Sequence, residues 1–175
     1  MDLCLFGRLV RVTLDTLIAS CALLVSIIAL ALSVYFWKRS FRPIVTAMVK
    51  THSTGNVATA FDLEILNSGT LPAKNIRLLT EQERVNASLG TDSGQENRRR
   101  WLSCFEPENI IAILHNGETI RCSFGTSREN DSGFWKYRAE IPITIQYEGW
   151  FGKKYTQEQI IRIIDSDSFT GFMWN

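Results

Sequence analysis

The sequence predicts an all-β domain, an antiparallel β-sandwich, preceded by one N-terminal transmembrane α-helix. Three observations carry this. The twenty-one residues from Leu17 to Trp37 contain no charged residue, Gly or Pro. Beyond Pro43 the apolar period changes from helical to alternating, as in half-buried strands. Roughly seven short β-prone runs follow, separated by turn residues about every ten to fifteen positions, which is the layout of a sandwich; a small closed barrel is the runner-up. The 175 residues suit one domain with an appendage. A content of 45% hydrophobic residues at a net charge of +1 excludes a disordered chain. The expected division is a short tail over 1–16, a span over 17–37, a basic link over 38–42 and a β-domain over 43–175.

At about 1.5 Å per residue, Leu17–Trp37 covers about 30 Å, the hydrocarbon thickness of a bilayer. Tyr35, Phe36 and Trp37 close the run and Lys38 and Arg39 follow at once, the order expected at a membrane–water interface. A buried core helix would need an apolar surface all round it, and no later segment supplies one. Two processing patterns compete with a permanent anchor. Ile18-Ala19-Ser20-Cys21 imitates a lipoprotein box, but the apolar run continues far past it. Cleavage after Ala29-Leu30-Ala31 would expose an apolar new terminus.

Orientation follows from basic residues near the ends. Arg8 and Arg11 precede the span, whereas Lys38, Arg39, Arg42 and Lys50 follow it. The positive-inside rule therefore expects a single-pass protein of the inner (plasma) membrane with its C-terminal domain in the cytoplasm. Only Cys104 and Cys122 lie in that domain, too few for a disulfide framework. Within the span, Ala19, Ala22, Ser26, Ala29 and Ser33 recur at steps of three and four. Small residues so spaced let helix backbones approach, which makes a homo-oligomer or a transmembrane partner the expected use of this stripe beside the lipid bilayer itself.

In the β-domain, Ile44–Val49 opens as a strand after Pro43. Val57, Phe61, Leu63 and Ile65 alternate with polar residues in the next. Asn67-Ser68-Gly69 and Pro72 break the chain before Asn75–Leu79 resumes it. Later strands are expected over 110–115, 119–124, 135–147 and 155–164, the last with a helical alternative over 157–164. Asn116-Gly117 predicts a hairpin between the first two of these, because both residues tolerate positive φ. Glu148–Gly152 predicts a longer hairpin loop between the last two. Ten Phe, five Trp and four Tyr supply bulk for a core.

Residues 81–100 are polar and nearly free of apolar side chains, and read as one long loop ending in Arg98-Arg99-Arg100-Trp101. Long loops are functional or disordered. A solvated loop with balanced charges is the simpler reading. The functional reading sets Arg98, Arg99, Arg100 and Trp101 on an anionic headgroup or a nucleotide phosphate.

The stretch Phe61-Asp62-Leu63-Glu64-Ile65-Leu66-Asn67-Ser68-Gly69-Thr70-Leu71-Pro72-Ala73-Lys74-Asn75-Ile76 resembles a phrase of bacterial immunoglobulin-like and CARDB-like β-sandwich domains. There an apolar strand ends in Asn-x-Gly, a loop with Pro-Ala follows, and Asn-Ile or Asn-Val opens the next strand. A short tail, one span, a basic pair and Arg42-Pro43 ahead of such a domain also resembles many bacterial single-pass membrane proteins. The resemblance covers about twenty residues closely and about 130 loosely. It implies an Ig-like sandwich that binds or spaces other molecules, and it carries over no catalytic or ligand residue.

The residues offer little for catalysis. His52 and His115 lie in different strands without metal-ligand companions, and no Gly-x-Ser-x-Gly, phosphate loop or His-Glu-x-x-His is present. Asp165-Ser166-Asp167-Ser168 lacks the turn glycine and ligand number of a calcium loop. Cys104 and Cys122 have no basic neighbour at a fixed spacing that would activate a thiol, although Arg121 adjoins the second. Residues after 42 keep 14 of the 19 Lys and Arg but 16 of the 18 Asp and Glu, a net charge of −2, which excludes a general nucleic-acid binder. The expectation is a non-enzyme without metal or cofactor, a membrane-anchored binding or assembly module for a protein partner. The alternative is a membrane sensor or effector whose β-domain takes a nucleotide-like anion and changes helix packing.

Overall fold

The computed structural model describes residues 2–150 and 152–164. The chain divides into two compact units, residues 1–41 and 42–175.

The first unit is helix α1, Asp2–Ser40. It begins at Asp2, so residues 2–16 of the stretch expected as a separate tail are helical as well. Thr16–Ser40 is the one helical stretch among the described residues long and apolar enough to cross a membrane, and none of it is buried. Two of its hydroxyls bond back within the helix. Ser20 Oγ donates to the Thr16 carbonyl and Ser26 Oγ to the Ala22 carbonyl, each at 2.8 Å. Such i−4 bonds remove the cost of placing a hydroxyl in an apolar medium. At the far end, Trp37 and Phe41 pack ring to ring at 5.4 Å, followed by Arg42.

The second unit is mostly β. Its strands are β1 Val45–Thr54, β2 Thr59–Asn67, β3 Ala73–Leu79, β4 Ile111–Leu114, β5 Thr119–Ser127, β6 Glu140–Glu148 and β7 Lys154–Arg162. They form two antiparallel sheets, ordered β1-β2-β5 and β4-β3-β6-β7. Alternation sets the inner faces: Val45 and Ala47 from β1, Phe61, Leu63 and Ile65 from β2, and Ile141, Ile143 and Ile145 from β6 all enter one buried cluster. The β6–β7 hairpin is in register from Glu140↔Arg162 to Glu148↔Lys154, as its loop predicts, and residues 154–162 are strand rather than helix.

Three expectations are corrected. Asn116-Gly117 does turn the chain, with Gly117 at φ 74°, but β4 and β5 lie in different sheets. The turn is an arch between sheets instead of a hairpin. Val57 lies outside the strands and is 73% exposed. Residues 81–100 are not a loop: they hold helices α2, Gln82–Ser88, and α3, Gln95–Trp101, followed by a 3₁₀ turn at Ser103–Phe105. Each helix has about two turns and one apolar anchor facing inward, Val85 or Trp101, so no 3.6-residue stripe shows in the sequence.

The Asn-Ser-Gly break is a packing centre. Asn67 is fully buried, and its amide donates to the Leu71 carbonyl (2.8 Å) and the Leu114 carbonyl (3.0 Å). Its Oδ1 accepts from the backbone N–H of Ile44 (3.2 Å) and Gly69 (3.0 Å). One side chain thereby ties together the entry to β1, the β2–β3 crossing and the end of β4. Gly69 must be glycine here, since a Cβ would stand 2.4 Å from the Arg42 carbonyl oxygen. On the far side, Gln159 of β7 accepts from Ala47 N–H at 3.2 Å and donates to the Ala47 carbonyl, closing the β1 and β7 edges against each other.

Candidate functional site

Helices α2 and α3 separate the four residues Arg98–Trp101. Arg98 Nε donates to the Ser93 carbonyl at 2.8 Å and its Nη1 to Asn86 Oδ1 at 2.9 Å, so its guanidinium joins the two helices. Trp101 turns inward and meets Phe134 edge-on at 4.8 Å. From there an aromatic chain runs through Phe134–Trp135 (4.8 Å) and Trp135–Phe124 (4.9 Å) to Phe105. Trp135 is fully buried and its indole N–H donates to the Phe124 carbonyl, which removes the cost of burying that donor. Arg99 and Arg100 are exposed, and neither guanidinium has an ion pair or hydrogen bond among the described residues; that of Arg100 lies 6.0 Å from the Trp101 ring. The four residues predicted as one anion site are therefore two structural groups and two solvent-facing arginines.

On α1, Ala19, Ala22, Ser26, Ala29 and Ser33 are all exposed. At about 100° per residue they fall within an arc of about 80°, a single face. Asp165–Ser168 lies outside the described residues. Among those described, no three His, Cys, Asp or Glu side chains converge as a metal set would. His52 Nδ1 sits 2.9 Å from Asp62, and the His115 backbone N–H donates to Glu118 at 2.8 Å.

The outer face of the first sheet carries a charge ladder. Arg121 Nε lies 2.6 Å and Lys50 Nζ 2.8 Å from the two oxygens of Glu64, whose residue is only 4% exposed. Two cations from the flanking strands cover the carboxylate and compensate its burial. Arg121 is thus on the face opposite its neighbour Cys122.

Cys122 faces inward. It pairs with Leu63, and Ile120 with Ile65, so both join the core side of β5. Strands β5 and β4 end their respective sheets. A cavity of about 260 Å³ lies beside them, lined by Leu63, Ile65, Ile76 and Leu78. Cys122 on β5 and Cys104 on the 3₁₀ turn also line it. Both are free thiols, half-buried. The Cys104 thiol donates to the Trp101 carbonyl at 3.9 Å. A hydrogen-bonding interaction with the Cys104 thiol makes Cys122 more acidic than an ordinary thiol; burial and the Asp62 carboxylate oppose it. The same interaction, then burial, pushes Cys104 strongly up. Sequence spacing gives no sign of this pair, because eighteen positions and a change of secondary structure separate the two residues.

A family model described as a domain of unknown function (DUF8453) matches residues 11–167, covering most of α1 and all seven strands. No curated protein matches the chain.

Proposed function

The chain belongs to the DUF8453 family, and on that premise we propose that it is a single-pass membrane protein whose second unit is an Ig-like sandwich acting as a non-catalytic binding or assembly module. The observation that carries the reading is the 25-residue apolar stretch Thr16–Ser40, exposed over its whole length and matched by the family model from residue 11 together with the β unit. An uncovered apolar helix of that length is stable in lipid and costly in water. The Ig-like reading is supported by the three-plus-four sheet order, in which the chain changes sheet after β2, after β4 and after β5.

Protein binding is assigned to the β4 edge. Gln159 closes the edge on the other side, whereas β4 is four residues long, outermost in its sheet, and carries exposed Ile113 with exposed Ile110 just before it. A partner strand adding there would gain backbone hydrogen bonds and two apolar contacts. A photoreactive residue at Ile113 in native membranes is expected to give a discrete protein adduct, and one at Thr156 none. No adduct at Ile113, or equal adducts at both, would remove the reading. Fusions of green fluorescent protein and alkaline phosphatase after Asn175 test the cytoplasmic placement, with fluorescence expected and phosphatase activity not. The anion-sensor alternative rests on Arg99 and Arg100, and thermal stabilisation of the protein by ATP would favour it.

A further inference from the structure

We infer that Cys122 and Cys104 form a hydroperoxide-oxidised dithiol in which Cys122 is the attacking sulfur and Cys104 the resolving one. The assignment rests on their placement. Both thiols are free and both line the same cavity. A pair serving only as core filler would be fully buried; these two are half-buried beside an opening between the sheet edges. The hydrogen bond from Cys104 also holds Cys122 toward its thiolate, the reactive form.

The chemistry balances with the hydroperoxide as oxidant. The Cys122 thiolate attacks the outer peroxide oxygen; an S–O bond forms, the O–O bond breaks, and the leaving hydroxide or alkoxide takes a proton from water. Sulfur is oxidised by two electrons and the peroxide reduced by two. Cys104 then attacks the Cys122 sulfenic sulfur. An S–S bond forms, and the departing hydroxide leaves as water with the Cys104 proton. Forming the S–S bond draws the 3₁₀ turn toward β5 across the cavity that both thiols line. The lining mixes apolar Leu and Ile side chains with Glu108, Asn109 and Arg121, so both an alkyl hydroperoxide and hydrogen peroxide are tried as the oxidant.

The test uses the full reduced chain in detergent, treated with hydrogen peroxide or with tert-butyl hydroperoxide. Trypsin separates the two cysteines, because Arg121 lies between them: Trp101–Arg121 carries Cys104 and Cys122–Arg128 carries Cys122. Mass spectrometry is expected to find these two peptides disulfide-linked in the wild-type chain. Cys104→Ser should lose the link and leave Cys122 as a sulfenic acid trapped by dimedone. Cys122→Ser should lose both the link and the adduct. Linking by hydrogen peroxide alone would assign the inorganic oxidant to the same dithiol. No linked peptide under conditions that oxidise free cysteine, or a dimedone adduct on Cys104 in Cys122→Ser, would overturn the assignment.

Discussion

The side-chain amide of Asn67 donates to the carbonyl of Leu114, 47 positions later in the chain, at 3.0 Å. With its other three bonds, it makes Asn67 a polar pin where three chain segments meet inside the core. Replacing it by Ala leaves four backbone groups without their partner. The expected cost is about 3 kcal/mol, since buried unpaired groups each lose their desolvation energy. Urea unfolding followed by tryptophan fluorescence measures it, and Asn67→Asp should be no better, because it removes the two donors and buries a charge.

Gln159→Leu should cost about 1–2 kcal/mol by removing both bonds to Ala47 while keeping the side chain's volume. The loss is local. Amide hydrogen exchange should speed up at Ala47 and Val49 and stay unchanged at Leu63 and Ile65 of β2.

Arg98 and its two neighbours should separate in mutagenesis. Arg98→Ser removes the bridge between α2 and α3 and is expected to destabilise the β unit by about 1 kcal/mol. The Arg99→Ser, Arg100→Ser double variant should unfold with the wild-type midpoint, as exposed charges away from partners rarely contribute more than about 0.5 kcal/mol.

Cys122 should react with iodoacetamide at a lower pH than an ordinary thiol, since the Cys104 hydrogen bond favours its thiolate. Removing that donor in Cys104→Ala leaves burial and Asp62 acting against the thiolate. The midpoint of the alkylation profile should then move upward. A midpoint unmoved by Cys104→Ala would show that the donor is elsewhere.

Widening the small-residue face of α1 tests whether helices meet there. Ala22→Ile with Ala29→Ile should abolish self-association in a membrane two-hybrid measurement, whereas Leu17→Ile with Leu24→Ile, on the opposite side of the helix, should leave it intact.

Much of the architecture was legible because it follows from local patterns. The apolar run of α1 and the alternation along β1, β2 and β6 are periodicities of the backbone itself, and Gly117 adopts the positive φ its turn requires. The misreadings share a cause. Asn116-Gly117 specifies a reversal but not whether the strands it joins pair with each other. That depends on which sheet each strand enters. Helices α2 and α3 were missed because seven residues with one inward anchor have no period to detect, and helices that short hold only through tertiary packing. Arg98–Trp101 read as the end of a loop because nothing local marks α3; the folded chain gives Arg98 to Ser93 and Asn86 and Trp101 to Phe134.

The sequence by itself determined the apolar helix, the strand-rich unit behind it and the positions of most turns, since each depends on neighbouring residues alone. Only the tertiary structure decided the division of strands between two sheets, the fourfold bonding of Asn67, the closure of one edge by Gln159 and the meeting of Cys104 with Cys122. These are contacts between residues far apart in the chain, and their energies arise only once burial has removed water from both partners.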